Sequence, residues 1–223
     1  MSDRHQDEGN DGGNQPNGTA ESGRSFTTET IASDILSTLA KTPWKVAIVL
    51  TGGGTGVIGR CFARSGASTN FIEGLVPYSR EAVIDYLGKR LSGSSASVEA
   101  SEQLAQKAYE RAQRLSPSDG CDSNSAYAGL ALVAALPTTP PRRGSDRIHV
   151  SLITASAGKT WTIELPRGEH TRKSSEEVAE QLALIGLASL TECEDLSQRL
   201  IRCLAERGIT VIERAGPRSP TPN

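Results

Sequence analysis

The sequence has few histidines and cysteines and no excess of basic over acidic residues. Its 223 residues include three histidines, which lie far apart, and four cysteines with no CxxC spacing. Structural zinc sites are built from such short-spaced pairs, so we expect no metal site and no cofactor. The 24 basic and 26 acidic residues give a net charge of −2, without the basic excess of a nucleic-acid-binding protein. We therefore expect no nucleic-acid partner.

Long apolar runs are absent as well. No stretch of 18 apolar residues occurs, which argues against a membrane-spanning helix and against a membrane partner. The first residues contain no apolar segment of the kind found in secretory signals. We therefore expect a soluble, cytoplasmic protein with reduced and mostly buried cysteines.

The ends of the chain are poor in apolar residues. Residues 1–25 are rich in Gly, Asn, Asp and Ser, and residues 215–223 read AGPRSPTPN. Such segments bury too little apolar surface to offset the entropy lost on ordering. We predict a disordered N-terminal tail at 1–25, one folded domain at 26–214 and a disordered C-terminal tail at 215–223.

The hydrophobic pattern between the tails predicts an α/β fold. Apolar runs at 45–51 and 127–136 are typical of strands buried on both faces, and 71–77 predicts another strand. Alternation at 148–154 and 159–165 predicts a hairpin, and 209–212 a last short strand. Helical patterns and caps predict helices at 28–41, 56–64, 79–88 and 97–115, with capping boxes Ser174–Glu177 and Thr191–Glu194 before two more. The order favours a three-layer α/β/α fold with a mixed β-sheet.

The segment Thr51-Gly-Gly-Gly-Thr-Gly56 follows the first buried strand and precedes a short helix. Glycines allow positive φ angles and a close approach of the backbone to a ligand. Backbone N–H groups of Gly52, Gly53, Gly54 and Gly56 could then bind an anion or a developing oxyanion. The alternative is a tight strand-to-helix turn with nothing bound.

A Rossmann-type dinucleotide site is a weaker interpretation of the same turn. Gly54-x-Gly56-x-x-Gly59 fits the GxGxxG pattern, and Glu73 lies where a ribose-binding acid would be expected. The helix after the turn is short, however, and a hairpin replaces further βαβ units. A Walker A motif is excluded because no Gly-Lys-Ser/Thr follows.

One segment resembles a known family. Gly66-Ala-Ser-x-x-Phe71-x-x-Gly74-x-Val76-x-Tyr78-Ser79-x-Glu81-Ala82 is similar to the GAS…YSNEA stretch of the CinA C-terminal domain, the competence/damage-inducible family. A fainter resemblance extends over residues 28–190. The family includes bacterial nicotinamide-nucleotide amidases, so the resemblance implies a CinA C-terminal domain-like fold. It also implies hydrolysis of the carboxamide of nicotinamide mononucleotide.

This sequence differs from the family at two catalytic positions, as expected of a diverged branch. The family writes ESCTGG at the end of the first strand, with serine as the nucleophile. An ungapped count from Tyr78 places Thr51 at that serine, whereas alignment on TGG places Thr51 at the motif threonine and Val49 at the serine. The lysine of the family's YSNEAK corresponds here to Val83.

The candidate site residues follow from the chemistry of amide hydrolysis, which needs a nucleophile, a base and oxyanion donors. Thr51 or Thr55 supplies a hydroxyl, Tyr78 could orient or donate, and Ser79 is a further ligand-binding candidate. Lys45 starts the first predicted strand and is expected at the wrong end of it, so the remaining candidates for the base are Glu81, Arg80 and His149.

A basic loop follows the third predicted strand, where the family keeps a ligand loop. Arg142 and Arg143 could bind a phosphate through their guanidinium forks, although a solvated basic loop explains them equally well.

Three functional hypotheses follow. The first is a nicotinamide-nucleotide amidohydrolase-like enzyme with altered catalytic positions. The second is an inactive nucleotide-binding or regulatory module of the same fold, and the third is dinucleotide binding. All three predict a small-molecule nucleotide ligand, and the exposed hairpin edges are compatible with a homo-oligomer.

Overall fold

A computed structural model of the chain describes residues 27–91, 93–116, 126–142 and 144–217. The N-terminal tail predicted at 1–25 lies outside the described residues, as do residues 218–223 of the predicted C-terminal tail.

Six helices and six strands, with a short 3₁₀ turn at Ala67–Thr69, form the described part of the chain. The helices are α1 (Thr28–Leu39), α2 (Gly56–Phe62), α3 (Arg80–Leu87), α4 (Val98–Leu115), α5 (Arg172–Ala188) and α6 (Glu194–Glu206). The strands are β1 (Trp44–Thr51), β2 (Phe71–Leu75), β3 (Ala126–Ala135), β4 (Asp146–Thr154), β5 (Gly158–Leu165) and β6 (Ile212–Gly216).

The strands form one mixed sheet in the order β2-β1-β3-β4-β5-β6. β1 is parallel to β2 and to β3, whereas β3, β4, β5 and β6 are successively antiparallel. Helices cover both faces of the sheet, so the predicted three-layer α/β/α fold with a mixed β-sheet is confirmed. Three antiparallel pairs distinguish this sheet from the parallel sheet of a dinucleotide-binding fold.

The two faces of the sheet pack differently. One face, which we call the aliphatic face, is covered by α1, α5 and α6. Its core contains branched residues such as Ile48, Leu130 and Leu182. The other face, which we call the alanine face, is covered by α3 and α4. Its core contains small residues such as Ala105 and Ala108 of α4. Side chains alternate along β1, so Ala47 and Val49 lie on the alanine face, and Thr51 continues the same side.

Local signals placed α3 correctly. The hydroxyl oxygen of Ser79 accepts the N–H of Ala82 at 3.1 Å, and Gly88 ends the helix in the left-handed conformation. Both features are the N-cap and C-cap that the sequence predicts.

The predicted capping boxes of the last two helices are wrong. α5 begins at Arg172 because Thr171 is its N-cap, in a reciprocal capping box with Ser174. α6 begins after Cys193, which makes no side-chain cap, because the hydroxyl of Thr191 donates instead to the carbonyl of Ala188 at 2.7 Å.

The last strand begins later than predicted. Ile209 is buried in the aliphatic core, so residues just before β6 pack inward instead of pairing. β6 runs to Gly216, beyond the domain boundary predicted at residue 214.

Candidate functional site

The Gly-rich turn has the positive φ angles that its glycines predict. Gly52 has φ +83° and Gly54 has φ +72°, in the left-handed region that side chains rarely adopt. A Cβ atom at Gly52 would also collide with the backbone carbonyl oxygen of Ala134 in β3. The turn therefore needs glycine both for its conformation and for its close approach to the neighbouring strand.

Two carboxylates of α5 lie against this turn. The N–H of Gly54 donates to Oε2 of Glu176 at 2.5 Å, and the α-carbon of Gly56 packs against the carboxylate of Glu180. Gly53 is buried against Leu136. An N–H group that the sequence assigned to an oxyanion is thus bound to a carboxylate of the protein itself.

Arg172 connects the turn to Tyr78. Its Nη2 donates to the carbonyl of Gly52 at 3.2 Å, to Oη of Tyr78 at 3.3 Å and to Oε1 of Glu176 at 2.6 Å. Burial lowers the pKa of Arg172, but the hydrogen bonds to Glu176 and Tyr78 raise it by more, so the net shift is upward. The guanidinium stays charged where β1, α3 and α5 meet.

A cleft of about 320 Å³ lies on the alanine face, and we call it the Tyr78 cleft. It is lined by Thr51, Tyr78, Ser79, Arg80, Val83, Ile84, Leu91, Gly93 and Ser95. The structure thus brings together Thr51, Tyr78 and Ser79 from two separate segments. Thr55 and the four glycines of the turn are not among the lining residues, and the Thr55 side chain is exposed.

The lining of the Tyr78 cleft is poor in acid–base groups. Tyr78 and Arg80 are its titratable side chains among the described residues, and the phenol of Tyr78 is 62% exposed. Val83, at the position of the family lysine, forms an apolar part of the wall. Lys45 lies at the opposite end of β1, where its Nζ donates to the carbonyl of Thr69 at 2.7 Å.

His149 lies in the same row of the sheet as Thr51 but two strands away. Thr51 pairs with Val133, and Val133 pairs with His149. With about 4.8 Å between neighbouring strands, their backbones are roughly 10 Å apart, too far for a direct hydrogen bond. The Nδ1 of His149 bonds to the hydroxyl of Thr162 at 2.9 Å. Burial and the positive charges of Arg147 and Arg214 lower the pKa of His149 to about 4.

The basic loop after β3 is held by ion pairing. Nη2 of Arg142 donates to Oδ1 of Asp146 at 2.6 Å, and its Nε donates to the carbonyl of Leu136 at 3.2 Å. Two of its nitrogens are therefore already bonded within the loop, and Arg142 does not line the Tyr78 cleft. Arg143, the other residue predicted to bind phosphate, lies outside the described residues.

Glu73, which the dinucleotide interpretation assigned to a ribose, is also paired within the protein. Glu73 forms an ion pair with Arg111, which donates to both carboxylate oxygens. Gly59, the last glycine of the GxGxxG pattern, has open space where a Cβ would be, so nothing there requires glycine.

Sequence reasoning assigned no role in the site to Arg172 or Glu176. Their i, i+4 spacing on a helix was a usable signal, but the wrong capping box placed the helix start beyond Arg172. The expectation of mostly buried cysteines is wrong for Cys193, which is exposed, and for Cys203, which is half-buried; Cys61 is buried.

The described ranges contain no candidate metal site and no candidate membrane-spanning helix. No group of three His, Cys, Asp or Glu side chains there could hold a metal ion. Within the same ranges, no helix has the length and hydrophobicity needed to cross a membrane.

Comparison with known proteins identifies the fold. No family model and no curated protein matches the sequence. A CinA-superfamily competence-damaged protein of Escherichia coli matches with a TM-score of 0.54 and 13% identity, over 74% of this chain and 90% of that chain. One from Enterobacter cloacae matches with a TM-score of 0.54 and 12% identity, over 85% and 97%. This chain has the fold of these CinA-superfamily proteins, so the fold implied by the resemblance is confirmed.

Proposed function

We propose that this protein binds a small nucleotide-like ligand in the Tyr78 cleft without hydrolysing it. One observation carries the proposal. The cleft gathers Thr51, Tyr78 and Ser79, but has the apolar Val83 where the resembling family has its lysine. The site therefore keeps groups suited to binding and lacks a group suited to the chemistry.

The lining of the cleft suits a ligand that has a ring and a negative charge. Its volume of about 320 Å³ is within the range of small-molecule pockets. The exposed ring of Tyr78 offers a face for stacking, and the guanidinium of Arg80 offers a charge for a phosphate. Hydroxyl groups of Thr51, Ser79 and Ser95 supply donors and acceptors between them.

The same lining argues against hydrolysis. A hydroxyl nucleophile needs a base within about 3 Å to take its proton. Arginine does not act as that base because it stays protonated in proteins, and Val83 has no basic atom. Nor does Gly54 supply an oxyanion donor while its N–H is bonded to Glu176.

A second candidate function is the amidohydrolase itself. It is favoured by the presence of Thr51 and Tyr78 in one cleft, where Thr51 supplies a hydroxyl and Tyr78 could orient or donate to a bound amide. This candidate predicts ammonia release from nicotinamide mononucleotide, which is lost in Thr51→Val.

The test measures binding and ammonia release side by side. We expect nicotinamide mononucleotide to raise the melting temperature of the wild type, because a ligand that binds the native state stabilises it. We expect no ammonia release above background. Arg80→Gln should weaken binding by about tenfold, whereas Arg90→Gln, also exposed but outside the lining, should leave it unchanged.

Restoring the family's serine and lysine tests whether the cleft can support amide hydrolysis. Thr51→Ser combined with Val83→Lys should release ammonia, and Thr51→Ser with Val83→Met is the control that adds a long side chain without an amine. Ammonia release by the wild type would favour the second candidate. The absence of stabilisation by any mononucleotide or by NAD would contradict both functions.

A further inference from the structure

We infer that Arg172 is a positioning residue of the Tyr78 cleft, which fixes the direction of the Tyr78 phenol relative to the Gly-rich turn. The consequence for ligand binding rests on the proposed function. The positioning itself does not, since it can be measured on the free protein.

The contacts of one nitrogen carry the inference. Nη2 of Arg172 faces three acceptors, namely the carboxylate of Glu176 at 2.6 Å, the carbonyl of Gly52 at 3.2 Å and Oη of Tyr78 at 3.3 Å. Nη2 carries two hydrogens, so at least one of them is shared. The short bond to Glu176 anchors the guanidinium, and the longer bonds reach the turn and the phenol.

Glu176 makes this anchor rigid. Its Oε1 accepts from both Nε and Nη2 of Arg172, at 2.9 and 2.6 Å, and its Oε2 accepts from Gly54 N–H. Charge-assisted hydrogen bonds of this kind are the stronger class in proteins. Both residues lie in the first turns of α5, whose start is fixed by the capping box of Thr171 and Ser174.

Tyr78 depends on this contact for its side-chain direction. Pro77 is buried and Ser79 caps α3, so the backbone on both sides of Tyr78 is held. The ring is 62% exposed, and within the described ranges Arg172 is the hydrogen-bond partner of its hydroxyl. Without Arg172, little restrains the ring from turning away from the cleft.

The first experiment is NMR of the full chain with ¹³Cζ-labelled tyrosine, in which Tyr78→Phe assigns the Tyr78 signal. We expect Arg172→Gln to shift or broaden this signal and to leave the signals of Tyr86, Tyr109 and Tyr127 in place. The matched control is Arg199→Gln, because Arg199 forms an i, i+4 pair with Asp195 at the same 2.6 Å on α6. This control should leave all four signals unchanged.

The second experiment is a double-mutant cycle on the affinity for nicotinamide mononucleotide. If Arg172 acts through the phenol, Arg172→Gln weakens binding about fivefold when Tyr78 is intact. In the Tyr78→Phe background, the same change weakens binding less than about twofold. Equal losses in both backgrounds would contradict action through Tyr78.

The two readouts separate the two proposals. A Tyr78 signal identical in wild type and folded Arg172→Gln would overturn the positioning role; if that variant does not fold, Arg172→Lys decides by the same criterion. A Tyr78 signal that responds, in a protein that binds no mononucleotide, would support the positioning role and remove the proposed function.

Discussion

The two faces of the sheet use different chemistry to cover the same six strands. On the aliphatic face, branched side chains from α1, α5 and α6 fill a continuous apolar core. On the alanine face, small residues bring α4 close to β3, and at Gly129 the helix backbone is nearly in contact with the strand. The Tyr78 cleft opens on this second face. Close packing of small side chains therefore adjoins the candidate site, whereas bulky packing lies on the other side.

Buried polar groups also distinguish the two faces. Ser151 of β4 bonds to Ser101 of α4 at 2.7 Å and to Thr160 of β5 at 2.9 Å, with all three almost fully buried. Next to them, burial raises the pKa of Glu102, and Arg214 pairs with its carboxylate at 3.1 Å. Hydroxyl groups thus tie α4 directly to the sheet, whereas on the opposite face the buried Gln181 of α5 donates to the hydroxyl of Thr28 in α1.

The largest expected effect is the cost of one methyl group on the alanine face. Gly129→Ala would push its Cβ into the backbone of Tyr109 and Ala105, so we expect the free energy of unfolding to fall by about 3 kcal/mol. Chemical denaturation of the purified variant measures this change.

Gly186→Ala is the matched change on the aliphatic face. Its Cβ would meet Leu130 Cδ1 at 2.7 Å and Val150 Cγ1 at 3.2 Å, which are side-chain methyl groups and not backbone atoms. The helix propensity gained by alanine offsets this contact, so the stability should stay within about 1 kcal/mol of wild type. Equal losses in the two variants would break the distinction between the faces.

The second effect is a pH dependence centred on His149. Its pKa is about 4 in the folded chain, against 6.5 for an ordinary histidine, because of burial and the charges of Arg147 and Arg214. Since the folded pKa is the lower one, this stability is complete above about pH 6.5 and is lost as the pH falls towards 4. Near pH 5 the loss should be about 2 kcal/mol.

Comparison with His149→Gln isolates this titration from that of the carboxylates. Glutamine can still hydrogen bond to Thr162 but does not titrate, so its stability should fall less between pH 7.5 and pH 5. Parallel stability curves for the two proteins would show that His149 does not contribute.

The smallest effect concerns the buried hydroxyl groups. Ser151→Ala removes the middle hydroxyl between Ser101 and Thr160, and we expect a loss of about 1 kcal/mol in the free energy of unfolding. Ser156→Ala, an exposed residue in the hairpin turn, is the control and should be neutral. A neutral Ser151→Ala would mean that the hydroxyl network adds nothing beyond packing.

Much of the fold was predictable because its signals are local. The apolar run before Thr51 predicted β1, the alternation after residue 148 predicted the hairpin, and Ser79 with Gly88 marked both ends of α3. The starts of α5 and α6 were not predictable in the same way. Several Ser and Thr residues compete there as caps, and the surrounding packing decides between them.

The candidate site was predictable only in part. Resemblance and turn chemistry pointed to Thr51, Tyr78 and Ser79, which the fold gathers in one cleft. They did not show that Thr55 is exposed outside the lining of this cleft, nor that Arg142 is paired with Asp146.

The sequence by itself determined which segments form strands and helices, their order along the chain and the positive φ angles of the turn, since these depend on residues close together in the chain. Only the tertiary structure decided what lies against that turn. Glu176 binds Gly54 across 122 positions of sequence, and Arg172 reaches Gly52 and Tyr78 across 120 and 94. No local pattern encodes such contacts, because they exist only after α5 has packed on the sheet over β3 and β4.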